Sequence, residues 1–273
     1  MNRSSQTGIE QLIELMARLR DHDTGCPWDL KQTWGSLLQH TLEEVYELAD
    51  AIDSNDADKV RDELGDYLFQ AVFYAQIAAE AGQFDFDDVC RGIVAKLLYR
   101  HPHVFPDGTL DSRRDQNVVP ETADIKSNWE SLKQQERARR EQHSALDDVP
   151  AAMPALQRAQ KLQKRASTAG MDWRDVSYVY DKLQEEIAEL RAATGPDEIA
   201  HELGDVMFCA VNLARHHGCD AEQVLRAANA RFEQRFRLVE ELLETQGRGI
   251  DDADDEELDR IWEQVKQRLR SKA

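Results

Sequence analysis

The chain has 273 residues, 41% hydrophobic and 32% charged, with only 13 Gly and 7 Pro and a formal charge of −19. That composition suits a helical globular protein of one large domain or two small ones and argues against disorder. So acidic a surface repels nucleic-acid phosphates and anionic lipids, so neither nucleic acid nor a membrane is an expected partner, whereas a small phosphorylated ligand is admissible if metal ions neutralise it and its site.

Residues 1–20 are polar and amphipathic, without the apolar core of a signal peptide. No run approaches the ~18 apolar residues of a membrane span, and a cytoplasmic protein is expected. Cys26, Cys90, Cys209 and Cys219 form no Cys-x-x-Cys pair, which points to a reducing compartment without zinc or disulfides.

Helical periodicity predicts helices over 8–20, 37–53, 57–81 and 86–100. Within 37–53, Leu42, Val45, Leu48, Ala49 and Ile52 form an apolar stripe, with Glu43, Glu44 and Glu47 on the other side. A Gly- and Pro-containing loop spans 101–120, a polar helix 121–142, and a linker 147–154 punctuated by Pro150 and Pro154. Helices are then expected over 155–168, 177–193, 197–217, 220–246 and 255–270. The domain division is 1–106, an intervening 107–150, and 151–273.

One carboxylate pattern occurs in both halves. Glu43-Glu44-x-x-Glu47 is followed, after 15 residues (48–62), by Glu63-x-x-Asp66. Glu185-Glu186-x-x-Glu189 is followed, after 12 residues (190–201), by Glu202-x-x-Asp205. Residues three apart share a helical face, so each copy aims two carboxylate pairs at a common point. Such a set repels itself unless cations intervene, and hard oxygen ligands suit Mg²⁺ or Mn²⁺. A single Glu-rich run is usually a solvated face. The segments after Asp66 and Asp205, however, are apolar nearly all round and are expected to be buried, where a carboxylate needs a metal or a basic partner. The matched tryptophans Trp28 and Trp173, and Trp129-Glu130-x-x-Lys133-Gln134 against Trp262-Glu263-x-x-Lys266-Gln267, extend the repeat and favour two copies of one helical module. Four helices per copy suggest a bundle whose remaining apolar faces are covered by dimerisation.

Other residues divide between chemistry and architecture. Gly65 and Gly204 sit mid-helix at roughly 1 kcal/mol relative to Ala, marking a close helix approach, room for ligand, or chance. Asn212, seven residues after Asp205, either touches ligand or ties helices; the first copy has Phe73 there. Lys182, one turn before Glu186, becomes His40. Arg231 and Arg235 suit phosphate oxygens or pair with Glu233 or Glu240. Trp262 is either core or a stacking platform. His101 and His103 have no acid at ligand spacing and read as structural.

The ordered set GCPWD (25–29), TLEEVYEL (41–48), ELGDYLFQAVFYAQ (63–76), RHPHVF (100–105), HSALDDVPAAMPALQRAQKLQKRA (143–166), ELGDVMFCAVNLARH (202–216) and ANARFEQRFRLVE (228–240) resembles the MazG family across nearly the whole chain. The resemblance implies an all-α fold of two tandem MazG-like modules, a homodimer, and Mg²⁺-dependent hydrolysis of nucleoside triphosphates to monophosphate and pyrophosphate. It implies metal ligands Glu186, Glu189, Glu202 and Asp205, with first-copy counterparts Glu44, Glu47, Glu63 and Asp66. Lys182, Arg231 and Arg235 would contact triphosphate and Trp262 the nucleotide, with Asn212 a further candidate substrate contact. The expected chemistry is in-line displacement at the α-phosphorus by a metal-activated water, which Glu185 could orient, with broad base specificity. His40 and Phe73 put catalysis by the first copy in question, but not its metal binding.

Two rivals stand beside this. A ferritin-like di-iron bundle needs Glu-x-x-His on two helices, and only Glu198/His201 fits. A nucleotide-sensing or scaffold protein would carry the same acids without turnover.

Overall fold

In the computed structural model the described residues are 6–115 and 144–271, together with Glu121, Trp129 and Leu132. The chain divides into two compact units, Met1–Glu136 and Arg137–Ala273. Among the described residues the regular elements are all helical.

The first unit contains α1 (Gly8–Leu19), α2 (Trp34–Asp53), α3 (Ala57–Glu80) and α4 (Phe86–Arg100). The starts are chemically specified. Thr7 and Glu10 form a capping box on α1, and the Asp56 and Asp85 carboxylates accept the first amides of α3 and α4. Only residues 54–56 join α2 to α3, with Asn55 at φ +55°, so the two helices fold back as a hairpin. Met16, Leu37, Val72 and Phe73 are sealed between α1, α2 and α3, each side chain contributing ~1.5–3 kcal/mol on burial. Phe73 is therefore a core residue at the position where the second unit has Asn212.

The second unit contains α5 (Ala155–Thr168), α6 (Val176–Ala192), α7 (Pro196–His216), α8 (Ala221–Glu244) and α9 (Asp255–Arg270). Residues 193–195 close the α6–α7 hairpin, and Pro196 begins α7 at a position whose amide has no helical partner. Val239, Leu243, Ile261 and Val265 form a core between α8 and α9. All nine helices of the described residues fall within three residues of the sequence-derived bounds. The polar helix expected over 121–142 lies outside the described residues apart from Glu121, Trp129 and Leu132, as do Glu130, Lys133 and Gln134 of the Trp129 motif.

Two expectations are corrected. The stripe Leu42, Val45 and Ile52 does not face the core: all three are exposed. The face of α2 toward α3 runs instead through Leu37, Thr41, Glu44, Leu48 and Ala51, a three-four spacing that places two polar residues in the helix seam. Thr41 is accommodated there by Tyr74, with their hydroxyls 2.7 Å apart. Nor are α3 and α7 buried along their whole length. Burial in α3 is concentrated in its second half, at Gln70, Val72, Phe73, Ala75 and Ala78, while Leu64, Tyr67 and Leu68 stay exposed, as do Leu203, Met207 and Phe208 of α7. The helices that flank each unit in sequence cover only part of these hairpins. Gly65 and Gly204 share that openness, since a Cβ at either would meet no atom within 4 Å. They do not mark a close helix approach within the chain.

Candidate metal and nucleotide site

Each hairpin seam gathers carboxylates. On α2 and α3, Glu44, Glu63 and Asp66 offer oxygens all within 4.8 Å of one another; on α6 and α7, Glu186, Glu189 and Glu202 do the same. Six of the eight predicted acids thus converge. Glu47 and Asp205 stand outside these two sets. Asp205 turns to His201, whose Nε2 is 3.4 Å from its Oδ2, an i,i+4 pair visible in the sequence but not read as such. Glu198, proposed partner of His201 in a di-iron motif, instead accepts the Thr194 amide at 2.8 Å ahead of α7.

The electrostatics of the first cluster are dominated by its own acids, with Lys59 opposing them weakly at Glu63. Burial, followed by Asp66, Glu47 and Glu63, pushes the Glu44 carboxyl above its ordinary range. Glu63 is raised by desolvation and then by Glu47 and Asp66. In the second cluster Glu189 is raised by desolvation and Glu186, but Lys182 opposes the shift. Glu186 is only 6% exposed, and it shares the buried face of α6 with Val179, two turns earlier. Three convergent carboxylate oxygens, self-repelling and partly desolvated, are the donor set a hard divalent cation requires, so the residues fit Mg²⁺ or Mn²⁺.

The predicted substrate groups fall in two places. Lys182 donates to Glu185 at 2.7 Å and lies 2.8 Å from Glu186, at the edge of the acid cluster. Glu185 itself is exposed, one residue from Glu186. Arg231, Arg235 and Trp262 belong to α8 and α9. The Arg235 guanidinium sits over the Trp262 ring at 6.0 Å, and Phe232 contacts the same ring at 5.5 Å. Trp262 is half-buried against the α8–α9 core, so within this chain it is a packing residue. Neither arginine pairs with Glu233 or Glu240 among the described residues; Glu233 pairs with Arg237. Asn212 Oδ1 accepts from Arg215 at 3.0 and 2.7 Å, and Arg215 in turn grips Asp172. Arg215 thereby ties α7 to the loop before α6, and Asn212 holds that guanidinium from within α7. His101, Nδ1 2.7 Å from the Leu97 carbonyl, packs its ring against His103 in a structural arrangement.

Similarity to known proteins agrees with this geometry. Residues 32–105 match the MazG nucleotide pyrophosphohydrolase domain, and residues 153–232 match phosphoribosyl-ATP pyrophosphohydrolase. The chain is 46% identical over 263 residues to the nucleoside triphosphate pyrophosphohydrolase of Escherichia coli (strain K12), covering 94% of this chain and 97% of that one. The chain belongs to the MazG family. A second MazG-family relative, the nucleoside triphosphate pyrophosphohydrolase/pyrophosphatase MazG of Thermotoga maritima, is 41% identical over 258 residues, covering 94% of this chain and 95% of that one. The nucleoside triphosphate pyrophosphohydrolase of Mycobacterium tuberculosis (strain ATCC 25618 / H37Rv) is 35% identical over 247 residues, or 90% of this chain and 62% of that one. The two halves match different families, yet both family descriptions name a pyrophosphohydrolase, and each match contains one MazG-type acid cluster.

Proposed function

We propose that the protein is a nucleoside triphosphate pyrophosphohydrolase that cleaves NTPs and dNTPs between the α- and β-phosphates with Mg²⁺, Mn²⁺ being a possible substitute. The observation that carries the reading is the three-carboxylate cluster in the α6–α7 seam of a MazG-family chain. Glu186, Glu189 and Glu202 would hold the ion, with Asp205 one turn along α7 completing the set. When bound, the ion supplies neutralisation of phosphate oxygens and a more acidic water.

The chain's own groups do the rest. Glu185 orients the attacking water from beside the ligand helix face. Lys182 neutralises triphosphate charge, and Arg231 and Arg235 offer forked donors to the departing pyrophosphate. Water adds at the α-phosphorus and the α–β anhydride bond breaks, leaving monophosphate and pyrophosphate. Arg235 must leave the Trp262 ring before a base can stack there, and stacking on that ring would accept any base. The first cluster binds metal but lacks the lysine, having His40, and has buried Phe73 in place of Asn212.

The same reading includes a cytoplasmic homodimer. No helix among the described residues is long and apolar enough to cross a membrane. The exposed Leu64, Leu68, Leu203, Met207 and Phe208 are the apolar surface that a second copy would cover. Incubation with each NTP and dNTP tests the activity: Mg²⁺-dependent release of pyrophosphate with monophosphate supports it, and no release from any of them refutes it.

A further inference from the structure

The two acid clusters differ in one respect that their shared pattern conceals. In the second unit Lys182 lies 2.8 Å from Glu186 and 2.7 Å from Glu185, and Glu186 is one of the three convergent acids and the most buried of them. In the first unit the equivalent position is His40, whose Nδ1 is 3.8 Å from Glu43, an acid outside the cluster. Among the described residues Glu44, Glu63 and Asp66 pair with no lysine, arginine or histidine. One cluster has an ammonium group in direct contact with one of its acids; at the other, Lys59 acts on Glu63 only from a distance, without an ion pair.

Building on the metal site proposed above, we propose that Lys182 is the resident counter-ion of the second cluster, and that a divalent ion must displace it from Glu186. An ammonium and a dication repel, and the Glu186 carboxylate that Lys182 contacts is one of the three that converge. Metal entry therefore releases Lys182, which sits on a half-exposed flexible stem and swings to the nearest new anion, the triphosphate. The order is metal first, nucleotide second. Among the described residues the first cluster has no cation in contact to expel, Lys59 acting on Glu63 only at a distance, so it binds a free divalent ion more tightly than the second does. Lys182 weakens metal binding and strengthens nucleotide binding, and a lysine that only stabilised the helix would do neither.

The test is Mn²⁺ titration of the metal-stripped, full-length chain without nucleotide, with free Mn²⁺ read by electron paramagnetic resonance in 0.1 M-scale salt that screens the general acidity. Glu44→Gln/Glu63→Gln removes the first cluster and isolates the second. On that background Lys182→Met is expected to tighten Mn²⁺ about tenfold, while Lys182→Arg, which keeps the charge, stays as weak as lysine. On the otherwise unchanged chain Lys182→Met is expected to raise the KM for NTP, opposite in direction to its effect on Mn²⁺. Unchanged or weaker Mn²⁺ binding in Lys182→Met overturns the proposal. No Mn²⁺ binding by the second cluster with either residue overturns it together with the metal reading. Tighter Mn²⁺ binding in a protein that hydrolyses no nucleotide upholds the counter-ion role and removes only the proposed activity.

Discussion

Arg20 and Glu80, 60 residues apart, close the first unit with a two-pronged ion pair, Nε to Oε1 at 2.8 Å and Nη2 to Oε2 at 2.6 Å. The arginine side chain is 7% exposed and its guanidinium lies over the Phe73 ring. Removing the acid leaves a desolvated cation with, among the described residues, only the Asp29 and Gln32 carbonyls to accept from it. Glu80→Gln should therefore cost about 2 kcal/mol, the glutamate being partly solvated. A urea midpoint of the first unit checks this.

The same pair sets a pH dependence. The Arg20 hydrogen bond holds the Glu80 carboxyl below its ordinary value of 4.5. A carboxylate depressed in the folded state contributes stability above its unfolded pKa and loses it as pH falls through the folded value. Wild-type stability should decline below about pH 4.5, and Glu80→Gln should flatten that decline. An equal decline in both proteins would remove Glu80 from the explanation.

The second unit solves the same problem with reversed polarity. Here the acid, Asp172, is in the loop and Arg215 is on α7, with Arg215 Nη1 2.9 Å from Asp172 Oδ2. Arg215 holds Asp172 far below the carboxylate range. Asp172→Asn should destabilise the second unit by about 2 kcal/mol and leave Asn212 as the remaining side-chain amide partner of the Arg215 guanidinium. Hydrogen exchange should report faster opening at the loop before α6 and unchanged protection in α3.

The nine helices were legible because amphipathic period, Asp and Thr caps, and Gly or Pro breaks agree along this chain. The paired acids were legible because they repeat. Which apolar residues of α2 line the seam was not, because the stripe through Leu42, Val45 and Ile52 has the same helical spacing as the true seam through Leu37, Thr41, Glu44, Leu48 and Ala51, two members of which are polar. Leu42, Val45 and Ile52 remain exposed. The Asp205–His201 and Lys182–Glu186 pairs were readable as i,i+4 spacings, but side-chain choice among several acids is decided by three-dimensional proximity. Asn212's partner was less accessible still, since Arg215 is engaged by a residue 43 positions away.

The open apolar faces predict assembly. Met207→Asp puts a charge on the exposed, acid-bearing half of α7, where Leu203 and Phe208 are also open. Light scattering should find two copies of the 31.3 kDa chain in the wild type and one in the variant. A monomeric wild type would require those faces to be covered in another way.

The duplicated acids are not expected to be equivalent in turnover. Glu202→Gln should reduce kcat by more than ~100-fold, beyond the loss that outer-shell changes at metal sites produce, with helicity retained. Glu63→Gln should leave most activity, because His40 and Phe73 deprive the first cluster of the second's polar groups. Equal losses from both would mean that the two clusters work as one catalytic unit.

The most direct measurement is to incubate the chain with NTP and Mg²⁺ and quantify pyrophosphate and orthophosphate separately. Pyrophosphate and nucleoside monophosphate are expected in equal amounts, abolished by chelation and by Glu202→Gln. Orthophosphate with nucleoside diphosphate would contradict cleavage at the α-phosphorus.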